Sequence, residues 1–270
     1  MILFGEHTVI HGSRALAAPT PGFGGNWVGS AGVDNQSQCC DLFAFAAYIK
    51  ANADKMNSPI NIDLLLTDLD QGFAFQSNIP VGYGLGSSGA LCAALYNQYR
   101  VQDSDNLRDI RSDLAIMEGY FHGRSSGLDP LVSYTGQVIL VDTGGEHILK
   151  IPPKAIQYFQ LENTGFPRNG QAMISWFAMQ MEQEFFIRQL QLNYLPILES
   201  CIEAFIAGAY ADLNALMFDL SYFQLVHFNH LIPQPFIRVW EEQLRQNTGY
   251  YKICGAGGGG FLLRYFYMEE

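Results

Sequence analysis

The chain has 270 residues, a net charge of −11, and 49 % hydrophobic against 15 % charged residues. That balance excludes a disordered chain, and so large a surplus of acid excludes a nucleic-acid surface or a polybasic membrane anchor. No apolar run reaches the ~18 residues of a membrane span, residues 1–10 lack the basic start of a signal peptide, and the five cysteines form no CxxC pair. A soluble cytoplasmic protein is expected, with neither nucleic acid nor membrane among its partners; a homodimer is compatible with the sequence.

In chain order, residues 1–4 read as a strand, followed by the glycine-bounded segment Gly5-Glu6-His7-Thr8-Val9-Ile10-His11-Gly12. Residues 41–53 read as a helix burying Leu42, Phe45, Ala46 and Ile49, and residues 60–67 as a strand in which Ile60, Ile62 and Leu64 alternate with Asn61 and Asp63. Residues 89–99 form a compact apolar helix. Residues 106–122 form a longer one, with Leu107, Ile110, Leu114, Met117 and Phe121 along one face. A buried strand covers 138–141. After Pro152-Pro153 the character changes: a strand at 158–161, helices through most of 172–246, then strands at 250–254 and 261–266 joined by glycines. The fold class is α+β, with a mixed first half (1–153) and a helix-rich second half (154–270). Cys39-Cys40 and Tyr265-Phe266-Tyr267 fit either core or interface.

The most informative stretch is Pro80-Val81-Gly82-Tyr83-Gly84-Leu85-Gly86-Ser87-Ser88-Gly89-Ala90. Alternating glycines let backbone approach a ligand closely, and Ser87 and Ser88 stand where a cap belongs, before a helix starting at Gly89. A helix N-terminus favours anions, phosphate above all. The run spells GxGxxG, but a dinucleotide fingerprint needs a strand directly before it and an acid ~20 residues on, whereas here Pro80 and the glycine turn interrupt and Asp103 sits in a polar loop. A Walker A loop fails because the run holds no lysine. The second run, Gly255-Ala256-Gly257-Gly258-Gly259-Gly260, is too costly in conformational entropy for a plain hairpin, so close approach to a ligand or to the first loop explains it better.

Together, GEHTVIHG, PVGYGLGSSGA and KICGAGGGG resemble, in order, the three motifs of the GHMP kinase superfamily, and the first is most similar to its mevalonate kinase form. Galactokinases usually carry Asp-Tyr where this chain has Val9-Ile10. The resemblance implies a two-domain kinase with an N-terminal ATP-binding domain, a ferredoxin-like C-terminal domain, and ATP between them. It implies transfer of phosphate from ATP to the terminal hydroxyl of mevalonate, a step of isoprenoid precursor synthesis. The nucleotide-binding residues implied are Pro80, Gly82, Tyr83, Gly84, Leu85, Gly86, Ser87 and Ser88, with Gly257 and Gly258 from the third motif.

A polyanion on a chain already at −11 requires a cation, since two like charges about 4 Å apart cost roughly 4 kcal/mol at an effective dielectric of about 20. Magnesium takes oxygen ligands. By periodicity Glu118 borders the buried face of its helix; the resemblance makes it, with Ser88, a Mg2+ ligand. His122 has no second histidine nearby and is read as structural. Asp129, in Gly123-Arg124-Ser125-Ser126-Gly127-Leu128-Asp129-Pro130, reads as a helix cap with proline at the first helical position. That segment is similar to the family's GxPSGxDN, which makes Asp129 the catalytic base on the acceptor hydroxyl. The resemblance also gives Glu6, His7, Asp129 and Arg168 to the acceptor, Arg168 through similarity of Pro167-Arg168-Asn169-Gly170 to Pro-Arg-x-Thr.

Two departures stand out. Gly170 replaces the family threonine, and the family lysine ahead of the first strand would precede Met1, so the start is expected to lie further upstream. Three rivals follow: another small-alcohol kinase of the superfamily, such as phosphomevalonate kinase; a catalytically impaired nucleotide-binding protein; and, distantly, an oxidoreductase using the GxGxxG run.

Overall fold

The computed structural model describes residues 1–29, 40–168 and 170–266, His122 by its backbone alone. Cys39, Asn169 and Tyr267 lie outside the described residues. The strands Ile2–Phe4 (β1) and Ala15–Ala17 (β2) are followed by Gly25–Val28 (β3) and the helices Leu42–Ala51 (α1) and Ile62–Asp70 (α2). Next come Ala74–Ser77 (β4), Ser87–Tyr99 (α3), Leu107–His122 (α4), Leu128–Thr135 (α5), Val138–Asp142 (β5) and Gly145–Leu149 (β6). The remainder is Pro153–Gln157 (α6), Phe159–Asn163 (β7), Gly170–Gln180 (α7), Glu184–Gln189 (α8), Leu195–Ala207 (α9), Tyr210–His227 (α10), Gln234–Gln246 (α11), Tyr250–Ile253 (β8) and Phe261–Tyr265 (β9). The class is α+β, as expected.

Among the described residues every strand pairing is antiparallel: one sheet in the order β1-β2-β5-β6, a β3-β4 pair, and a third sheet in the order β7-β9-β8. A doubly wound dinucleotide-binding sheet is parallel; with none here, the GxGxxG spelling loses its structural context. Pro153, where the sequence changes character, is the first residue of α6. Buried side chains from both sides of it, Phe4 and Phe159 among them, join in one hydrophobic cluster.

The helices form for local reasons. Asp41 caps α1, accepting from Phe43 and Ala44, and the four residues expected to be buried are buried. Asn106 caps α4 through Arg108 N at 3.0 Å, with Ile110, Leu114 and Met117 inside. Three expectations need correction. Residues 62–70 are helical where a strand was expected: Asn61 caps through Leu64 N, and Ile62, Leu65 and Leu69 are buried at helical spacing while Leu64 is exposed. The short alternation at 60–64 mimicked a strand; the longer period decides. Second, α3 begins at Ser87 with left-handed Gly86 (φ 75°) as its N-cap, so Ser87 and Ser88 belong to the first turn. Third, Asp129 caps nothing: left-handed Gly127 (φ 70°) opens α5 and Asp129 sits in the first turn, where the helix dipole favours a carboxylate. Glycine takes over the turn at both helices because left-handed backbone costs it little. That leaves the Ser88 and Asp129 side chains available for other partners. Of the terminal aromatics, Tyr265 is buried core.

Candidate active site

A cavity of about 460 Å³ opens where the first glycine loop, the N-terminus of α3, the α4–α5 turn and the start of α7 meet. Gly82, Gly84, Gly86, Ser87, Ser88, Glu118, Asp129, Arg168, Glu6 and His7 all line it. Residues from five separate segments of the chain thus meet in one place. Gly82, Gly84 and Gly86 are all left-handed, at φ 81°, 83° and 75°. Alternation with ordinary residues makes the concave backbone that holds anions, and the first-turn N–H groups of a helix have no intrahelical acceptor.

The remaining expected nucleotide residues lie differently. Tyr83 packs its ring 5.8 Å from Phe261, its carbonyl accepts from Phe261 N at 3.2 Å, and Leu85 is buried. Pro80 is not in the lining. In the second run, Gly255 and Ala256 line the cavity, whereas Gly257 and Gly258 face Leu231 and Met173. A Cβ on Gly260 would collide with the Tyr83 backbone, so this run is glycine-rich because it presses on the first loop. That was one of the two explanations its composition allowed.

Glu118 is buried, and its two oxygens are both engaged: Oε1 accepts from Ser88 Oγ at 3.1 Å and Oε2 from Ser125 Oγ. Burial, then the charge of Asp129, push its pKa up to about 7, against the pull of the two hydroxyls and Arg168. A carboxylate with serine hydroxyls at its oxygens is a set of hard oxygen donors, the chemistry Mg2+ prefers. Raised basicity is what a bound cation would neutralise, so these residues fit magnesium. Asp129 is half-buried; the Met1 amino group lies 3.7 Å from its Oδ1 and donates to the Ala18 carbonyl at 2.8 Å.

Arg168 threads between the two glycine runs. Its N–H donates to Gly82 O at 3.2 Å, and a Cβ on either Gly84 or Gly255 would come within 2.8 Å of Nη1. Gly170 belongs to the same arrangement, since a Cβ there would stand 3.3 Å from Arg168 Nε. The missing threonine thus makes room for the guanidinium.

His7 holds a left-handed backbone (φ 63°), unusual for a residue with a side chain. Its ring stacks on Phe177 at 4.7 Å and Nε2 meets Ala256 O at 3.1 Å. Desolvation lowers its pKa to about 4, so near neutral pH it is an uncharged ring that donates from Nε2 and accepts at Nδ1. Glu6 is buried, paired with Lys252 Nζ at 2.9 Å and accepting from Gln224 Nε2 at 3.0 Å, while its Oε2 has no hydrogen-bond partner among the described residues. Lys252, Ser125, Arg124 and Phe177 escaped the sequence reading. Only Lys252 left a signal: a lone charge in the apolar strand Tyr250-Tyr251-Lys252-Ile253 demands a buried partner.

A second cavity of about 490 Å³ shares Gly86 and Asp129 with the first and extends toward Trp27, Asn97 and Ser133. Among the described residues no lysine, arginine or histidine side chain lines it.

Residues 44–137 match the GHMP kinases N terminal domain family. Members of that family are small-molecule kinases with ATP as phosphate donor. The fold is similar to mevalonate kinase of L. major in complex with R-mevalonate (TM-score 0.64, 20 % identity, 99 % of this chain and 85 % of that one). It is similar to Streptococcus pneumoniae phosphomevalonate kinase (0.64, 15 %, 99 % and 89 %) and to Lactococcus lactis galactokinase complexed with galactose (0.61, 15 %, 98 % and 83 %). At these identities the likeness is one of fold. No curated protein sequence matches the chain. Among the described residues no helix is long and apolar enough to cross a membrane.

Proposed function

We propose that the chain transfers the γ-phosphoryl group of ATP to the terminal hydroxyl of mevalonate. The observation that carries this is Asp129: a carboxylate in one cavity with the glycine loop, the Glu118–Ser88 pair and Arg168. Phosphoryl transfer is mostly positioning and charge stabilisation, and this cavity supplies both. The phosphates lie along Gly82, Gly84 and Gly86 against the first turn of α3. Glu118 and Ser88 hold Mg2+, which when bound neutralises phosphate charge. Asp129 accepts the acceptor hydroxyl's proton as its oxygen bonds to the γ-phosphorus and the bond to ADP breaks. Neutral His7 orients the acceptor by hydrogen bonding, and Arg168 holds its carboxylate, where a planar fork of donors matches two oxygens.

Galactose offers no carboxylate to Arg168. An acceptor that already carries phosphate is the second reading, favoured by Arg124, the other arginine lining the cavity. ADP release with MgATP, measured in turn with mevalonate, phosphomevalonate and galactose, separates these. Mevalonate-dependent release supports the proposal and release with phosphomevalonate alone moves the acceptor. Silence with all three, ATP still bound, rejects it.

A further inference from the structure

We infer that Ser125 is a positioning residue: its hydroxyl orients the Glu118 carboxylate for a divalent cation and ties it to the helix that carries Asp129. This rests on the reading of Glu118 as a metal ligand. Glu118 projects from α4 into a buried position, where an unsatisfied carboxylate oxygen is costly. Ser88, from α3, satisfies Oε1, and Ser125, from the turn between α4 and α5, satisfies Oε2. The two hydroxyls grip the carboxylate from opposite sequence directions and so fix its plane.

Ser125 does more than donate. Its Oγ accepts from Gly127 N at 2.9 Å, and Gly127 is the left-handed residue that opens α5. Asp129 follows in the first turn of that helix. One hydroxyl therefore links the carboxylate proposed to bind metal to the backbone that sets the proposed base. The rest of the turn is anchored independently, because Arg111 donates through Nε to Ser126 O at 2.7 Å and through Nη1 to Glu146 Oε1 at 2.7 Å. Removing the Ser125 hydroxyl should free the carboxylate without dissolving the turn. The GxPSGxDN pattern has a proline at this position, which carries no hydroxyl, so the device belongs to this chain's own residues.

The test is Mn2+ affinity in the presence of ADP, read by the electron paramagnetic resonance of free Mn2+, with metal-free ADP affinity and thermal melting alongside. Partners of a metal-binding carboxylate typically set 10- to 100-fold in affinity, so Ser125→Ala and Ser125→Cys should weaken Mn2+ binding about tenfold or more, and Ser125→Thr should restore it to within about threefold. Metal-free ADP binding should not move. In a Glu118→Gln background Ser125→Ala should add no further loss, a coupling that general loosening of the turn would not produce. Wild-type-like Mn2+ affinity in Ser125→Ala and Ser125→Cys, with Glu118→Gln impaired, overturns this inference alone. If Glu118→Gln also binds Mn2+ normally, the metal reading of Glu118 fails with it.

Discussion

Lys252 Nζ lies 2.9 Å from Glu6 Oε1, and both side chains are sealed from solvent. The pair joins the turn after β1 to strand β8, uniting the first and third glycine-bounded motifs. Gln224 reinforces it, donating to Glu6 and accepting from Ile253 N at 2.8 Å. Breaking a buried pair by neutralising one partner strands the other charge and typically costs about 3–5 kcal/mol. Glu6→Gln should lose stability on that scale in urea unfolding, and Glu6→Gln with Lys252→Met should recover a large part. A single variant within about 1 kcal/mol of wild type would mean that the pair is not sealed.

Glu118 gives the stability a pH dependence of known sign. Its pKa in the fold, about 7, lies above the ordinary 4.5 because of burial and Asp129. Between those values the folded chain binds a proton that the unfolded chain does not, so stability falls as pH rises from 4.5 to 7 and then levels off. The contribution lost is on the order of 3 kcal/mol. Glu118→Gln should melt higher than wild type at pH 8 without metal and show a flatter profile from pH 5 to 8. Parallel profiles for the two proteins would contradict the assignment.

Much of this was legible in the sequence where a local rule acts alone. The α4 stripe and the strands flanking the second glycine run fall where periodicity puts them. The loop around Gly86 could be singled out because alternating glycines let backbone approach a ligand closely, whereas the segment carrying Asp129 stood out only through its resemblance to GxPSGxDN. Residues 62–70 were misread because a five-residue alternation satisfies both periods. Strand β2 was missed altogether: Ala15-Leu16-Ala17 has weak strand preference and is held by β1 on one side and β5 on the other. Ser125 was illegible for the same kind of reason, since nothing in Arg124-Ser125-Ser126 tells which hydroxyl will meet Glu118.

Arg168 should govern acceptor binding rather than the chemical step. A hydrogen bond to a charged group is worth about 1.5–3 kcal/mol, so Arg168→Met should raise KM for a carboxylate acceptor roughly 10- to 100-fold. Gly170→Thr should move KM the same way by crowding Nε. Steady-state kinetics in acceptor, at saturating MgATP, checks both. An unchanged KM in Arg168→Met would remove the guanidinium from the acceptor site.

Asp129 is proposed to take the proton from the acceptor. The direct measurement is mevalonate-dependent ADP release by wild type and Asp129→Asn, with MgATP affinity measured in parallel. A positioned base contributes about 10²- to 10⁴-fold, so the variant should lose about 3–5 kcal/mol of transition-state stabilisation in kcat while binding MgATP as wild type does. Near-wild-type turnover in Asp129→Asn would contradict the account.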